Sequence, residues 1–183
     1  MNLRCLRIVM SNHCRYVRYN SSTTKDCKRE NWLLQFDGGS RGNPGIGGAG
    51  AVIYLLEDIN ENKNSSIYEM KKSEKWSGCF YLGDDITNNV AEYNGLIEGL
   101  KQALTFNIKY ISIEGDSQLI INQLNGIYQV KNFKLKLLHD EATDMIKKFT
   151  KWECRYIPRE LNRRADSLSN LAMDTQTTIQ KMK

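Results

Sequence analysis

Leu33–Gly50 reads LLQFDGGSRGNPGIGGAG. An apolar run stops on Asp37, a glycine-rich turn follows, and a second apolar run, Ala51–Leu56, comes straight after. That order predicts strand, tight turn, strand, with a lone carboxylate where the first strand ends. An unpaired buried acid is costly. A bound cation would compensate it, so the other oxygen ligands should stand elsewhere in the chain.

Working outward, Trp32–Asp37 and Ala49–Leu56 read as the first two strands. The polar stretch Glu57–Ser66 reads as a hairpin loop, and Ile67–Leu82 as a third strand. Short links imply an antiparallel meander. The period then changes. Ala91, Leu96, Ile97, Leu100, Ala103 and Leu104 form a stripe at helical spacing, predicting a helix over Thr87–Phe106 with Thr87 as N-cap. Tyr110–Gly115 is a fourth strand ending at Asp116. A short helix Ser117–Leu124, a long helix Phe133–Phe149, a fifth strand Trp152–Ile157 and a last helix Asn162–Met173 complete the core. The order β-β-β-α-β-α-α-β-α implies an α/β fold, a mixed sheet with helices on its faces.

Length and composition fit one domain, over residues 31–174, with tails. Residues 1–30 hold seven Lys/Arg against Asp26 and Glu30, so they carry the whole net charge of +5. The expected basic arm is a disordered or nucleic-acid-contacting tail, or else an organellar targeting segment; residues 175–183 read as a polar tail. The remainder is charge-neutral, so nucleic-acid binding there needs a local patch. No apolar run approaches the roughly 18 residues of a membrane span, which predicts a soluble protein; charges interrupt any secretory apolar core, so an intracellular location, cytoplasm or nucleus, is expected. Five cysteines, odd in number and without a C-x-x-C pair, read as free thiols in a reducing compartment and argue against zinc.

Four acids stand where this layout would bring them together: Asp37 and Asp116 at strand ends, Glu92 near the start of the first long helix, and Asp166 in the first turns of the last. Each has an ordinary explanation alone, such as complementing a helix dipole. Their joint placement on four elements favours a shared site for hard cations such as Mg²⁺. Two such ions about 4 Å apart hold the attacking and leaving oxygens of a phosphodiester.

DGGSRGNPG at 37–45, TNNVAEYNGL at 87–96, GDSQLIINQL at 115–124 and RELNRRADSLSNLA at 159–172 together resemble type 1 ribonuclease H, in its compact form without a basic protrusion. The resemblance covers residues 32–174. It implies a five-stranded mixed sheet in the order 3-2-1-4-5. It implies a monomeric enzyme that cuts the RNA strand of RNA–DNA hybrids with two Mg²⁺ ions, Mn²⁺ being a possible substitute. Products would carry 5′-phosphate and 3′-hydroxyl ends. Asp37, Glu92, Asp116 and Asp166 would be the metal ligands. Asn43, Asn89 and Gln118 match family positions that read 2′-hydroxyls, a role suited to amides, which donate and accept. Thr87 matches a residue holding a DNA-strand phosphate; Asn88 lies beside it. Tyr156 occupies the place of a histidine found in many type 1 enzymes, with Arg159 nearby as a phosphate contact. Lys131, Lys134 and Lys136 are either a solvated helix face or a partial replacement for the protrusion. His139 reads as a surface residue.

Gly45–Gly50 also satisfies G-x-G-x-x-G, but AVIYLL follows instead of a helix, which excludes a dinucleotide site. A 3′–5′ exonuclease would need D-x-E on the first strand, and Gly38-Gly39 follow Asp37 instead. The remaining rival is a hybrid-binding module without catalysis, or a subunit acting with a polymerase.

Overall fold

The computed structural model describes residues 7–10, 13–17, 31–58 and 67–183. Its elements are β1 (Arg7–Met10), β2 (His13–Val17), β3 (Asn31–Gly42), β4 (Gly45–Asp58), β5 (Ile67–Ile86), α1 (Asn88–Thr105), β6 (Tyr110–Gly115), α2 (Gln118–Leu124), α3 (Phe133–Ile146), β7 (Lys151–Tyr156), a 3₁₀ turn (Arg159–Leu161), α4 (Arg163–Thr175) and β8 (Ile179–Met182). The sheet runs β1-β2-β5-β4-β3-β6-β7, with β8 also on β5. Its middle, β5-β4-β3-β6-β7, is the predicted 3-2-1-4-5 order.

β3, β4 and β5 pair antiparallel, while β6 joins β3 in parallel and β7 joins β6 in parallel. The register sets Asp37 opposite Gly50 and Phe36 opposite Gly115. Asp116, the residue after β6, is thereby brought beside Asp37 although 79 positions separate them in the chain.

Alternation along the strands sorts the two faces. Leu34, Phe36, Ala51 and Ile53 join the main core with Leu96, Leu100, Ile120 and Ile146 of the helices α1, α2 and α3. Val52 and Cys79 form a smaller core with Leu168 and Ala172 of α4 on the opposite face. Two glycines set how close the helices come. A Cβ on Gly38 would lie 2.1 Å from the Ala91 carbonyl carbon, and one on Gly50 would lie 2.3 Å from the Ala165 carbonyl oxygen. Backbone contact on both faces presses the α1 turn bearing Glu92, and the α4 turn bearing Asp166, onto the acidic end of β3.

Thr87 caps α1 as expected, its hydroxyl accepting from the Val90 N–H at 3.4 Å. Three strands exceed the expected five. The stretch 175–183, expected as a polar tail, contributes β8, which pairs Ile179–Met182 with Trp76–Cys79. All four β8 side chains are exposed, so the strand forms through its main chain and leaves no apolar alternation to read. Within the expected basic arm 1–30, residues 7–10 and 13–17 form the hairpin β1–β2 on β5. Its other residues, and 59–66 of the expected loop, lie outside the described residues.

Candidate active site

Asp37 ends the buried stretch of β3 on the α4 face and is 7% exposed. Its Oδ2 accepts a hydrogen bond from the Ser169 hydroxyl of α4. Asp116 is fixed from the other side. The Asn162 Nδ2 donates to Asp116 Oδ1 at 2.6 Å and to the Phe36 carbonyl at 2.7 Å. One fully buried amide therefore ties the end of β3 to the acid after β6. Glu92 reaches in from α1, and among the described residues its buried Oε2 has no hydrogen-bond partner.

Carboxylate oxygens of Asp37, Glu92 and Asp116 lie within 4.8 Å of one another. Burial, together with the Asp116 and Asp166 charges, pushes the Asp37 carboxyl up from 3.8 to about 6, against the lowering effect of Ser169 and Arg159. Burial first, then Asp37 and Asp116, raises Glu92 well above the usual carboxylate range. Three converging acids, two of them reluctant to ionise and one with an orphaned oxygen, fit a hard divalent cation: oxygen donors only, incompletely satisfied by protein.

Asp166 lines the same cleft, of about 490 Å³, but is not in the tight group. The Arg159 guanidinium and the Asn170 amide, at 3.3 Å, hold its carboxylate. Arg159 is thus a counter-ion of the fourth acid here. Ser40, Arg41, Asn88 and Met173 line the cleft as well.

The expected substrate residues surround this cleft unevenly. Asn43 and Asn88 are tied together. The Asn88 N–H donates to Asn43 Oδ1 at 3.1 Å, and the Ser40 N–H donates to Asn88 Oδ1 at 2.8 Å. The β3–β4 turn, with its cis Asn43–Pro44 bond, is thereby latched to the start of α1, where Thr87 and the half-buried Asn89 stand. Gln118 is exposed at the first position of α2. Tyr156 is half exposed at the end of β7. Lys131 and Lys134 are exposed, whereas Lys136 pairs with Asp140 at 3.0 Å. His139, expected at the surface, is half-buried edge-on against the Tyr93 ring. Cys79 and Cys154 are free, and burial pushes the Cys154 thiol up to about 12.

Sequence reasoning missed Ser169 and Asn162. A faint signal existed for Ser169: it lies between Ala165 and Ala172 on the small-residue side of α4, one turn from Asp166. Asn162 had none, because an Asn before a helix reads as an N-cap, and here its side chain makes no cap hydrogen bond.

A mixed sheet in this order, with carboxylates converging beyond adjacent central strands, defines the ribonuclease H-like class of α/β proteins. A family model described as reverse transcriptase-like matches residues 35–172. Ribonuclease HI of Halobacterium salinarum is 34% identical over 143 residues, covering 76% of this chain and 62% of the relative. The crystal structure of RNase H1 from that archaeon superposes with a TM-score of 0.67 at 33% identity, covering 79% of this chain and 98% of the other. LC11-RNase H1, solved in complex with an RNA/DNA hybrid, gives a TM-score of 0.61 at 34% identity over 79% of this chain and 98% of that one. A Mycobacterium tuberculosis protein described as bifunctional is 35% identical over 142 residues, 78% of this chain. The chain spans about a third of that relative's length, 35%. The chain belongs to the type 1 ribonuclease H family.

Proposed function

We propose that this protein is an endonuclease hydrolysing the RNA strand of RNA–DNA hybrids, with two Mg²⁺ (or Mn²⁺) ions at the acidic cleft and products ending in 5′-phosphate and 3′-hydroxyl. The observation that carries this is the convergence of Asp37, Glu92 and Asp116 to within 4.8 Å, with a buried Glu92 oxygen left unpaired. Membership of the family and the likeness to a relative crystallised on an RNA/DNA hybrid support the substrate.

Bound divalent cations would neutralise these acids, lower the pKa of an attacking water and stabilise the leaving 3′-oxygen. The chain's own residues do the rest. Asp37, Glu92 and Asp116 would hold the cations, and Asp166, now paired with Arg159, would serve as a fourth ligand. Ser169 and Asn162 fix Asp37 and Asp116 before anything binds, which is how supporting residues tune a metal site. Because burial makes Asp37 and Glu92 hold protons readily in the free protein, a bound cation would displace those protons, and its affinity would rise with pH. Asn43, Asn89 and Gln118 meet 2′-hydroxyls, while Thr87, Asn88 and Arg159 meet phosphates. Amide readout of the 2′-hydroxyl confines cutting to RNA, and backbone contacts make binding sequence-tolerant and salt-sensitive.

The test is gel-resolved cleavage of an end-labelled hybrid by wild type and Asp116→Asn. Single-stranded RNA, double-stranded RNA and duplex DNA run alongside. Internal cuts in hybrid RNA alone, lost in the variant, support the proposal. Wild type that binds hybrid but cuts nothing with either Mg²⁺ or Mn²⁺ returns the protein to the class of non-catalytic hybrid binders.

A further inference from the structure

Beyond the acids, β3 carries one cation into the cleft. Asp37, Gly39 and Arg41 alternate onto the α4 face of the strand, and α4 tracks them. Ser169 bonds Asp37, the Met173 methyl lies 3.5 Å from where a Gly39 Cβ would sit, and Asp174 pairs with Arg41. The strand thus presents a carboxylate site, then a glycine covered by the Met173 methyl, then a guanidinium, with Met173 and Arg41 both lining the cleft. At about 3.3 Å per residue, Arg41 stands roughly 13 Å along β3 from Asp37. That is about four nucleotide steps of strand rise.

The Arg41–Asp174 pair is open to solvent, with side chains 50% and 54% exposed. An exposed pair of this kind contributes little to stability, so its guanidinium exchanges partners readily. A phosphate offers the stronger partner, because a guanidinium fork matches two phosphate oxygens.

Resting on the hybrid-cleaving reading above, we propose that Arg41 binds a backbone phosphate of the hybrid a few nucleotides from the scissile bond, and that Asp174 is a stand-in which holds the guanidinium in place until the phosphate arrives. Arg159 and Asp166 repeat the arrangement at the other end of α4. The cleft of the free protein then has an arginine at each end, each parked on an aspartate of α4.

The two partners of the pair give opposite signs. In an Asp116→Asn background that cannot turn over, hybrid binding is followed by fluorescence anisotropy against salt concentration. Arg41→Ala is expected to weaken binding five- to tenfold at low salt and to reduce the salt slope by about one. Asp174→Ala, which frees the guanidinium, is expected to tighten binding, and Arg41→Lys to keep most of the salt slope. A set of hybrids with one neutral methylphosphonate linkage, moved along either strand, assigns the phosphate. At one position, on RNA or on DNA, the Arg41→Ala penalty should vanish. If both alanine variants weaken binding alike, or neither changes it, the pair is a strut and the proposal falls. Melting curves of both variants separate that outcome from misfolding. Cleavage by otherwise wild-type protein keeps the two readings apart. An active enzyme whose binding ignores Arg41 overturns this inference alone, whereas a protein that never cuts hybrid overturns the reading beneath it.

Discussion

Replacing Asp37 by Asn should make the cation-free protein more stable while abolishing catalysis. Asn keeps the shape of the side chain and an oxygen that accepts from Ser169, so charge is the main thing removed. The Asp37 carboxyl titrates near 6 in the folded protein against 3.8 as an ordinary carboxyl, chiefly because β3 buries it. Above pH 6 the folded state holds an ion it disfavours by roughly two pKa units, or about 3 kcal/mol. For a chain of this size that corresponds to a melting temperature higher by about 6–12 °C in the variant.

The sign with pH follows from proton counts. Between about pH 4 and 6 the folded wild type binds more protons at Asp37 than the unfolded chain. The Asp37 contribution to stability is therefore full below about 4 and is lost as pH rises through 6. The Asn variant lacks that decline, so the gap between the two should close at pH 4 and be full at pH 7.5. Thermal melts in EDTA across this range measure it. Adding Mg²⁺ should then raise the wild type and leave the variant nearly unmoved. A variant that melts at or below wild type in EDTA at pH 7.5, or a gap that persists unchanged at pH 4, would refute the assignment of Asp37 as a strained, cation-awaiting carboxylate.

Gly50→Ala should cost roughly 1–3 kcal/mol by overpacking, because the new methyl meets the Ala165 carbonyl oxygen, and should lower cleavage further by displacing the α4 turn that carries Asp166 and Ser169; urea melts and initial rates on hybrid measure the two effects. Asn162→Ala should lose about 1–3 kcal/mol by leaving the Phe36 carbonyl and Asp116 without their donor, and should weaken Mg²⁺ binding about tenfold or more, read by calorimetric titration. An Asn162→Ala protein with unchanged Mg²⁺ affinity would reduce Asn162 to a structural strut.

Much of this architecture was open to reading from the chain alone. The carboxylates at the ends of two apolar runs, the glycines after Asp37 and the switch from strand to helix period near Thr87 are local facts, and the motifs around them resemble one family along most of the length. Local pattern sets element type and order because side-chain alternation and helical stripes are written in adjacent residues. The central order 3-2-1-4-5 followed from the family resemblance, and the structure agrees with it.

Other features depend on contacts between distant residues. Asp37 and Asp116 meet because β3 and β6 pair in parallel, and that register is held by main-chain bonds and by the packing of Phe36 and Leu34 beneath. The three strands beyond the expected five carry no readable signature, since strand pairing on an open edge uses backbone groups that every residue shares. Composition alone placed residues 7–10, 13–17 and 179–182 in tails. The fold also decides that Asp37, Glu92 and Asp116 converge while Asp166 and Asp174 each hold an arginine. That division turns on how far each side chain reaches from its element, and on two buried supports, Ser169 and Asn162, set more than a hundred residues from Asp37. The order of residues along the chain says which side chains are available for the site and on which kind of element each stands. Which of them converge, and which neutralise one another, was decided only when β3, β6, α1 and α4 closed on a single point, because electrostatic coupling depends on distance in space and not along the chain.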